Sequence, residues 1–313
     1  MWIGFPHDDD EWPGYLERAQ EQSAAFANIA AESGQEVRLL VRDAANEAAA
    51  RALISGSVKL ERRTFGDIWL RDTGPLILSN GTERIAARFG FNGWGGKYLI
   101  AGDQTIGAEL AASAGLTTTT ADWILEGGAI DGDGTGTCIT TEQCLLNANR
   151  NPELTRTDIE KRLCSDLGFE RVVWLGQGLI NDHTDGHVDN LARFISAGTV
   201  VVPSATGRDD PNAAIYVDAR DRLQAAGLSV VEIPSPGLIE RDGAIEPASY
   251  VNFAITSNVV VVPTFGSVHD KDGVATIAKL FPDRDTIGLP ADAVLAGGGG
   301  FHCASQQMPS SNR

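Results

Sequence analysis

Two stretches, FISAGTVVVP (194–203) and FAITSNVVVVP (253–263), read almost alike. Each has a short apolar run, a turn of small or polar residues, then a run of valines ending at proline. Valine suits a pleated, packed surface, and two apolar runs around a short turn specify a β-hairpin. GPLILSNGTERIAARF (74–89) has the same form around Asn80-Gly81, and GGAIDGDGTGTCITTEQCLL (127–146) turns at glycine and aspartate. With the longer segments 188–203 and 249–263, the hairpins begin at 74, 127, 188 and 249, so the repeat is 53 to 61 residues.

Between hairpins the period changes from two to about 3.6. Helical spacing of apolar residues predicts helices within 103–115, 153–168, 211–227 and 270–282, and another over 13–34. A strand-like run follows each: EVRLLV, TTTTADWIL, RVVWLG, SVVEIP and DTIGL. Five helix–strand pairs with four complete hairpins leave one hairpin to find. The C-terminal GFHCASQQ, completed by the N-terminal MWIGF, supplies it. Pairing the two termini would close a ring and remove an exposed sheet edge. The expected architecture is therefore one α/β domain over 1–313, a five-fold pseudosymmetric α/β propeller of hairpin–helix–strand units. A doubly wound sheet would also alternate helix and strand, but it does not explain the hairpins.

The net charge is −17, with 25 Lys plus Arg against 42 Asp plus Glu. That excludes nucleic acid as a natural partner, since phosphate binding wants a basic surface. It fits either a solubilising surface or a field that draws in cations. No apolar run reaches membrane length and no secretory signal opens the chain, so a cytoplasmic protein is expected. Four cysteines without paired spacing read as free thiols. Cys138, Cys144 and Cys164 fall in strand or helix patterns and read as small core residues.

Polar residues collect where the hairpins start. Asp67, Arg71 and Asp72 precede the first and Glu126 the second. Asp182, His183, Asp185, His187 and Asp189 surround the start of the third, and His302 and Cys303 mark the fifth. Pseudosymmetry would gather equivalent starts near one axis. Each residue also has a plainer explanation, because Asp or Glu beside glycine commonly caps a turn. His183 and His187 have the spacing of a metal pair, but Gly186 interrupts any helix there and no metal is expected. Cys303 follows Gly297 to Gly300, which permit close backbone approach. A cysteine and a histidine among several carboxylates suit a cationic substrate. A guanidinium matches carboxylates through paired N–H groups, and its carbon can be attacked by a thiolate. His302 adjoins Cys303, but in an extended segment adjacent side chains point to opposite faces.

Six motifs in order carry a family likeness: FGDIWLRDTGP, FNGWGGK, ILEGGAIDGDGTG, LLNANRNP, DGHVDNLARF and AGGGGFHCASQQMP. Together they resemble the agmatine deiminase and bacterial (Porphyromonas-type) peptidyl-arginine deiminase family of guanidine-modifying enzymes. The resemblance runs from about residue 60 to the C-terminus, with a weaker echo in WIGFPHDDDEWPG. It implies the five-bladed α/β propeller, or pentein fold, and a reaction that uses neither metal nor cofactor. It implies Cys303 as nucleophile, His187 as general acid and base, and Asp72 and Asp189 as holders of the guanidinium. Glu126 would support that site and the histidine, and Trp69 and Trp94 would wall the substrate channel. His183 and Asp185 would lie near the substrate tail.

The implied activity is deimination of a small cationic guanidino substrate, agmatine first, to N-carbamoylputrescine and ammonia through a cysteine thiouronium intermediate. That places it in polyamine metabolism, on the route to putrescine. Free arginine, peptidyl arginine, another alkylguanidine or an amidinotransferase reaction stay open, as does a homo-oligomer. The sequence departs from the family at His183-Thr184-Asp185-Gly186-His187, where the family usually has T-N-G-H, and at Gly300-Phe301.

Overall fold

The computed structural model describes residues 1–309. Each of the four internal hairpins forms and then gains a parallel strand beyond a helix. Leu76–Ser79 and Arg84–Gly90 are joined by Thr117–Ile124 after the helix Asp103–Ser113. Ile130–Gly132 and Thr137–Thr141 are joined by Arg171–Leu175 after Arg156–Leu167. The valine-rich pairs Arg193–Ser196/Thr199–Ser204 and Ala254–Ile255/Val259–Thr264 take Ser229–Pro234 and Asp285–Pro290 in the same way. The intervening helices are Ala213–Ala225 and Asp270–Leu280.

The fifth sheet uses both ends of the chain. Trp2–Gly4 pairs antiparallel with Ser305–Gln306 and parallel with Arg38–Val41, after the helix Leu16–Glu32. It is wider than expected: the helix Ala44–Leu53 returns the chain to a fourth strand, Lys59–Arg62. Asp43 caps that helix by accepting from Asn46 N–H. The described residues thus hold five mixed sheets and one small hairpin, Glu240–Arg241 with Ala244–Ile245.

Local chemistry explains where the turns fall. The first hairpin has a four-residue loop rather than a tight Asn-Gly turn. Asn80 Oδ1 accepts from the N–H groups of Thr82 and Glu83, so the side chain shapes the loop. The helix Arg156–Leu167 starts in a Thr155–Asp158 capping box and stops at Gly168, whose φ of 78° suits glycine. The valines of Val259–Val262 are fully or almost fully buried. They share one hydrophobic cluster with the terminal sheet and the first helix, where Phe26 packs on Phe301 at 4.9 Å between ring centroids. Burying a phenylalanine contributes about 1.5–3 kcal/mol. Phe301 therefore anchors the C-terminal turn that carries Cys303. No helix among the described residues is long and apolar enough to cross a membrane.

Candidate active site

Cys303 is buried and sits in a turn, Phe301–Ala304, rather than in a strand. Its sulfur contacts two groups. It donates to Asp189 Oδ2 at 3.4 Å and accepts from Asn252 Nδ2 at 3.0 Å. Asn252 Oδ1 also accepts from the N–H groups of His302 and Cys303, and its Nδ2 donates to Asn190 Oδ1 at 2.8 Å. One amide side chain therefore fixes both the backbone and the sulfur of the turn. Arg71 secures the other flank: its N–H donates to Cys303 O and its Nη1 to Gln306 Oε1. Gln306 Nε2 in turn donates to Pro75 O.

The glycine run is compact rather than loose. A methyl on Gly297 would lie 2.4 Å from the Trp12 ring, and one on Gly299 would lie 2.7 Å from Trp69 and 3.1 Å from Cys303 Cβ. The run lets the chain pass against two tryptophans on its way to the cysteine.

Asp72 faces the same space. Its Oδ1 accepts from Gly128 N–H at 2.8 Å and lies 3.7 Å from His187 Nδ1, while its Oδ2 accepts from Trp94 Nε1 at 3.0 Å. Trp94 reaches it from a backbone at φ 52°, a sparsely populated region for a bulky residue. His187, Asp189 and Glu126 are fully buried. Both His187 nitrogens, Asp189 Oδ1 and Glu126 Oε2 lack a hydrogen-bond partner among the described residues. Unpaired buried polar atoms are costly, and their concentration here marks a place prepared for something else. Arg150 Nε donates to Glu126 Oε1 at 2.6 Å and holds that carboxylate in place.

The electrostatics follow from crowding acids around a buried thiol. Burial, then Asp189 and Asp72, push the Cys303 thiol well above its ordinary pKa. Burial also lifts Asp189 to about 7. Burial opposes charge on His187, but its neighbours, Asp72 first among them, carry it well above the usual histidine value. Both shifts favour the protonated forms, an imidazolium and a neutral thiol.

A cavity of about 350 Å³ opens on Cys303 and Asp72. Trp69 and Trp94 wall it, His183 and Tyr98 lie along it, and Asp10, Glu11 and Asp67 line it as well. Among the described residues, no lysine or arginine does. Burial lifts Glu11 to about 7 and Asp67 well above the usual carboxylate range.

The chain gathers Cys303, Asp189, Asp72, His187 and Glu126 into one neighbourhood, with Trp69 and Trp94 beside them. One of the candidate residues sits differently from expectation. Asp185 does not line the cavity: its carboxylate is taken by Lys97, Asn149 and Arg150. It braces the arginine that braces Glu126. His183 is exposed and lines the cavity while His187 is buried, so the pair does not act as one unit. His302 also departs from the extended-segment argument. Its turn lets Nδ1 reach Asp189 Oδ2 at 2.7 Å, the same oxygen that Cys303 contacts. Cys164 is exposed rather than core. Asn252 and Arg150 were missed. The signal for Asn252 was its place at the start of the fourth hairpin, the one start from which no candidate was taken.

The sequence profile of the Porphyromonas-type peptidyl-arginine deiminase family matches residues 1–309. The chain belongs to this family. A Pseudomonas aeruginosa relative named agmatine deiminase is 34% identical, over 99% of this chain and 92% of its own. Among solved structures, agmatine deiminase of Enterococcus faecalis superposes with a TM-score of 0.94 at 29% identity, covering 99% of this chain and 93% of that one. A Cys-to-Ser variant of C. jejuni agmatine deiminase with substrate bound gives 0.92 at 28% identity, covering 100% and 93%. With this deiminase family established, the crowded carboxylates have a natural counterpart in a guanidinium.

Proposed function

We propose that this chain is a hydrolase that deiminates agmatine, giving N-carbamoylputrescine and ammonia. The observation that carries the choice of agmatine is the charge of the cavity. Asp72 and Cys303 accompany Asp10, Glu11 and Asp67, with no lysine or arginine among the described residues of the lining. Agmatine carries a guanidinium at one end and an ammonium at the other, so both ends meet carboxylates. Free arginine carries an α-carboxylate, which those acids would repel and for which the wall offers no lysine or arginine. The likeness to proteins named agmatine deiminase supports the same substrate.

In this reading the five sheets are the units of a five-fold pseudosymmetric α/β propeller, a single domain closed by its two termini. The hairpin–helix–strand order of every unit and the pairing of Trp2–Gly4 with Ser305–Gln306 support it. All the groups proposed for chemistry come from one chain, so the reaction places no demand on oligomeric state. A cytoplasmic setting would keep the Cys303 thiol reduced.

Asp72 and Asp189 hold the guanidinium. Its positive charge offsets the two carboxylates that raise the thiol pKa, so the bound substrate promotes thiolate formation. The Cys303 thiol gives up its proton to solvent, and the thiolate adds to the guanidinium carbon. The His187 imidazolium protonates the departing nitrogen, the C–N bond breaks, and ammonia leaves. A thiouronium remains on Cys303. Neutral His187 takes a proton from water, the oxygen adds to the same carbon, and the C–S bond breaks to give the ureido product. The sulfur regains a proton from the added hydroxyl when the product leaves. Two moderate steps replace one hard hydrolysis. Glu126 lies beside the histidine, with Arg150 holding it there.

Ammonia release from agmatine, arginine and an arginyl peptide tests the assignment. Agmatine should lead by at least tenfold in kcat/KM, and C303S should abolish its turnover. Replacing both Glu11 and Asp67 by their amides should raise KM for agmatine more than it lowers kcat, since they are remote from the reacting carbon. Equal turnover of arginine, or full activity of C303S, would refute the proposal.

A further inference from the structure

Cys144 lies behind the site and was expected to be filler. It is fully buried, in a hydrophobic cluster with Trp123, Leu125 and Leu145. Yet one ligand-type atom each of Cys144, Glu126 and His187 lies within 4.8 Å of the others. The turn that carries Cys144 is tied to the His187 segment: Thr141 Oγ1 accepts from Cys144 N–H and donates to Gly186 O at 2.6 Å. Glu126 Oε2 and both His187 nitrogens have no partner among the described residues, Cys144 included. The three groups therefore lie close together without bonding one another, and an apolar-looking thiol stands among two sets of orphaned polar atoms.

A neutral thiol is both a weak donor and a weak acceptor. We propose that Cys144 is a positioning residue that bridges the pair when the three side chains, already within 4.8 Å of one another, close up: its S–H then donates to Glu126 Oε2, and its sulfur accepts from a ring N–H of His187. The inference rests on the deiminase reading for its consequence, because His187 must deliver and then remove a proton at one place. Sulfur suits the role because it also packs in the apolar cluster that a carboxamide would disrupt. Burial keeps the Cys144 thiol pKa raised, so the proton it would donate is present. A metal ion fits these three groups less well. It would require Cys144 as a thiolate, and Arg150 already neutralises Glu126.

The test compares C144A and C144S with the wild type. C144A removes both bonds, and C144S restores a donor and acceptor at similar size. For C144A, kcat on agmatine should fall about tenfold, the worth of one positioning hydrogen bond, with KM within twofold. C144S should recover most of the loss. NMR titration of the His187 ring should move toward lower pH in C144A and return in C144S. Thermal melting checks that both variants fold, and the His187 titration is read in the folded protein without substrate. If wild-type protein releases no ammonia from any guanidine, the deiminase reading fails while the titration still judges the bridge. A His187 titration and pH–rate profile in C144A that superimpose on wild type would overturn it.

Discussion

Gly128 sits against three of the site's polar side chains at once, and replacing it with alanine isolates the geometry from the chemistry. The added methyl would lie 2.6 Å from His187 Nδ1, 2.9 Å from Asp72 Oδ1 and 3.2 Å from Asp189 Oδ2. Ordinary contact begins near 3.4 Å, so the imidazole alone must retreat by about 0.8 Å. It has little room, because His187 is fully buried with Cys144 and Glu126 close by. Overpacking of this kind costs about 1–3 kcal/mol of stability. A displacement near 1 Å at a reacting group costs about a hundredfold in rate. G128A should therefore stay folded, melt several degrees lower, and lose about a hundredfold in kcat on agmatine. No ionisable group is removed, so the loss reports placement alone. Gly56 is the control: nothing lies within 4 Å of a methyl there, and G56A should match wild type. Ammonia release and thermal melting read both quantities. A G128A protein within threefold of wild-type kcat would mean that His187, Asp72 and Asp189 do not act together around that gap.

Asn252→Ala removes the amide that holds the Cys303 sulfur and two N–H groups of its turn. It should lower kcat by about ten- to a hundredfold, from one to two net hydrogen bonds, and N252D should not rescue it. Stability should depend on pH in a definite direction. Glu11 and Asp189 are lifted to about 7 and Asp103 to about 6, burial being the first cause in each. Between their ordinary values near 4 and these raised ones, the native chain holds more protons than the unfolded chain. Stability therefore falls as pH rises through that window. His187, raised as well, adds a loss of the same sign above its ordinary value. His302 and His7, lowered by burial, oppose it below theirs, and the Met1 ammonium, lowered to about 6, opposes it up to its ordinary value, but the raised acids outnumber them. The melting temperature should drop from pH 5 to pH 8. Agmatine should raise it more at pH 8, where more of the carboxylates are charged. A melting temperature that rises across this range would contradict the buried-acid account.

The hairpins were legible because valine runs and turn residues encode them locally. Their joining into five sheets was legible because each unit repeats the same order. What the pattern concealed was mostly short or tertiary. The hairpin around Asp242-Gly243 has strands of only two residues, too brief for alternation to register, though its Asp-Gly turn with both φ positive was a fair signal. The fourth strand Lys59–Arg62 is mostly charged and lies at a sheet edge, so it lacks the apolar run that marked the others. Asp185 was legible as an acid but not as a brace, since Arg150 and Lys97 come from distant segments.

The harder lesson concerns the residues between motifs. Looking at where each hairpin begins yields Asp72, Glu126 and Asp189, then Cys303, because acids and thiols announce chemistry. The fourth start supplies an amide, Asn252, which announces nothing. Yet the same logic of equivalent positions would turn that start toward the site too, and there Asn252 donates to the Cys303 sulfur at 3.0 Å. A carboxylate in its place could not donate to that sulfur, and its added charge would raise the thiol pKa further. The fourth unit differs in residue type because it serves the cysteine, whereas the acids of the first and third units are the ones proposed to hold the cation.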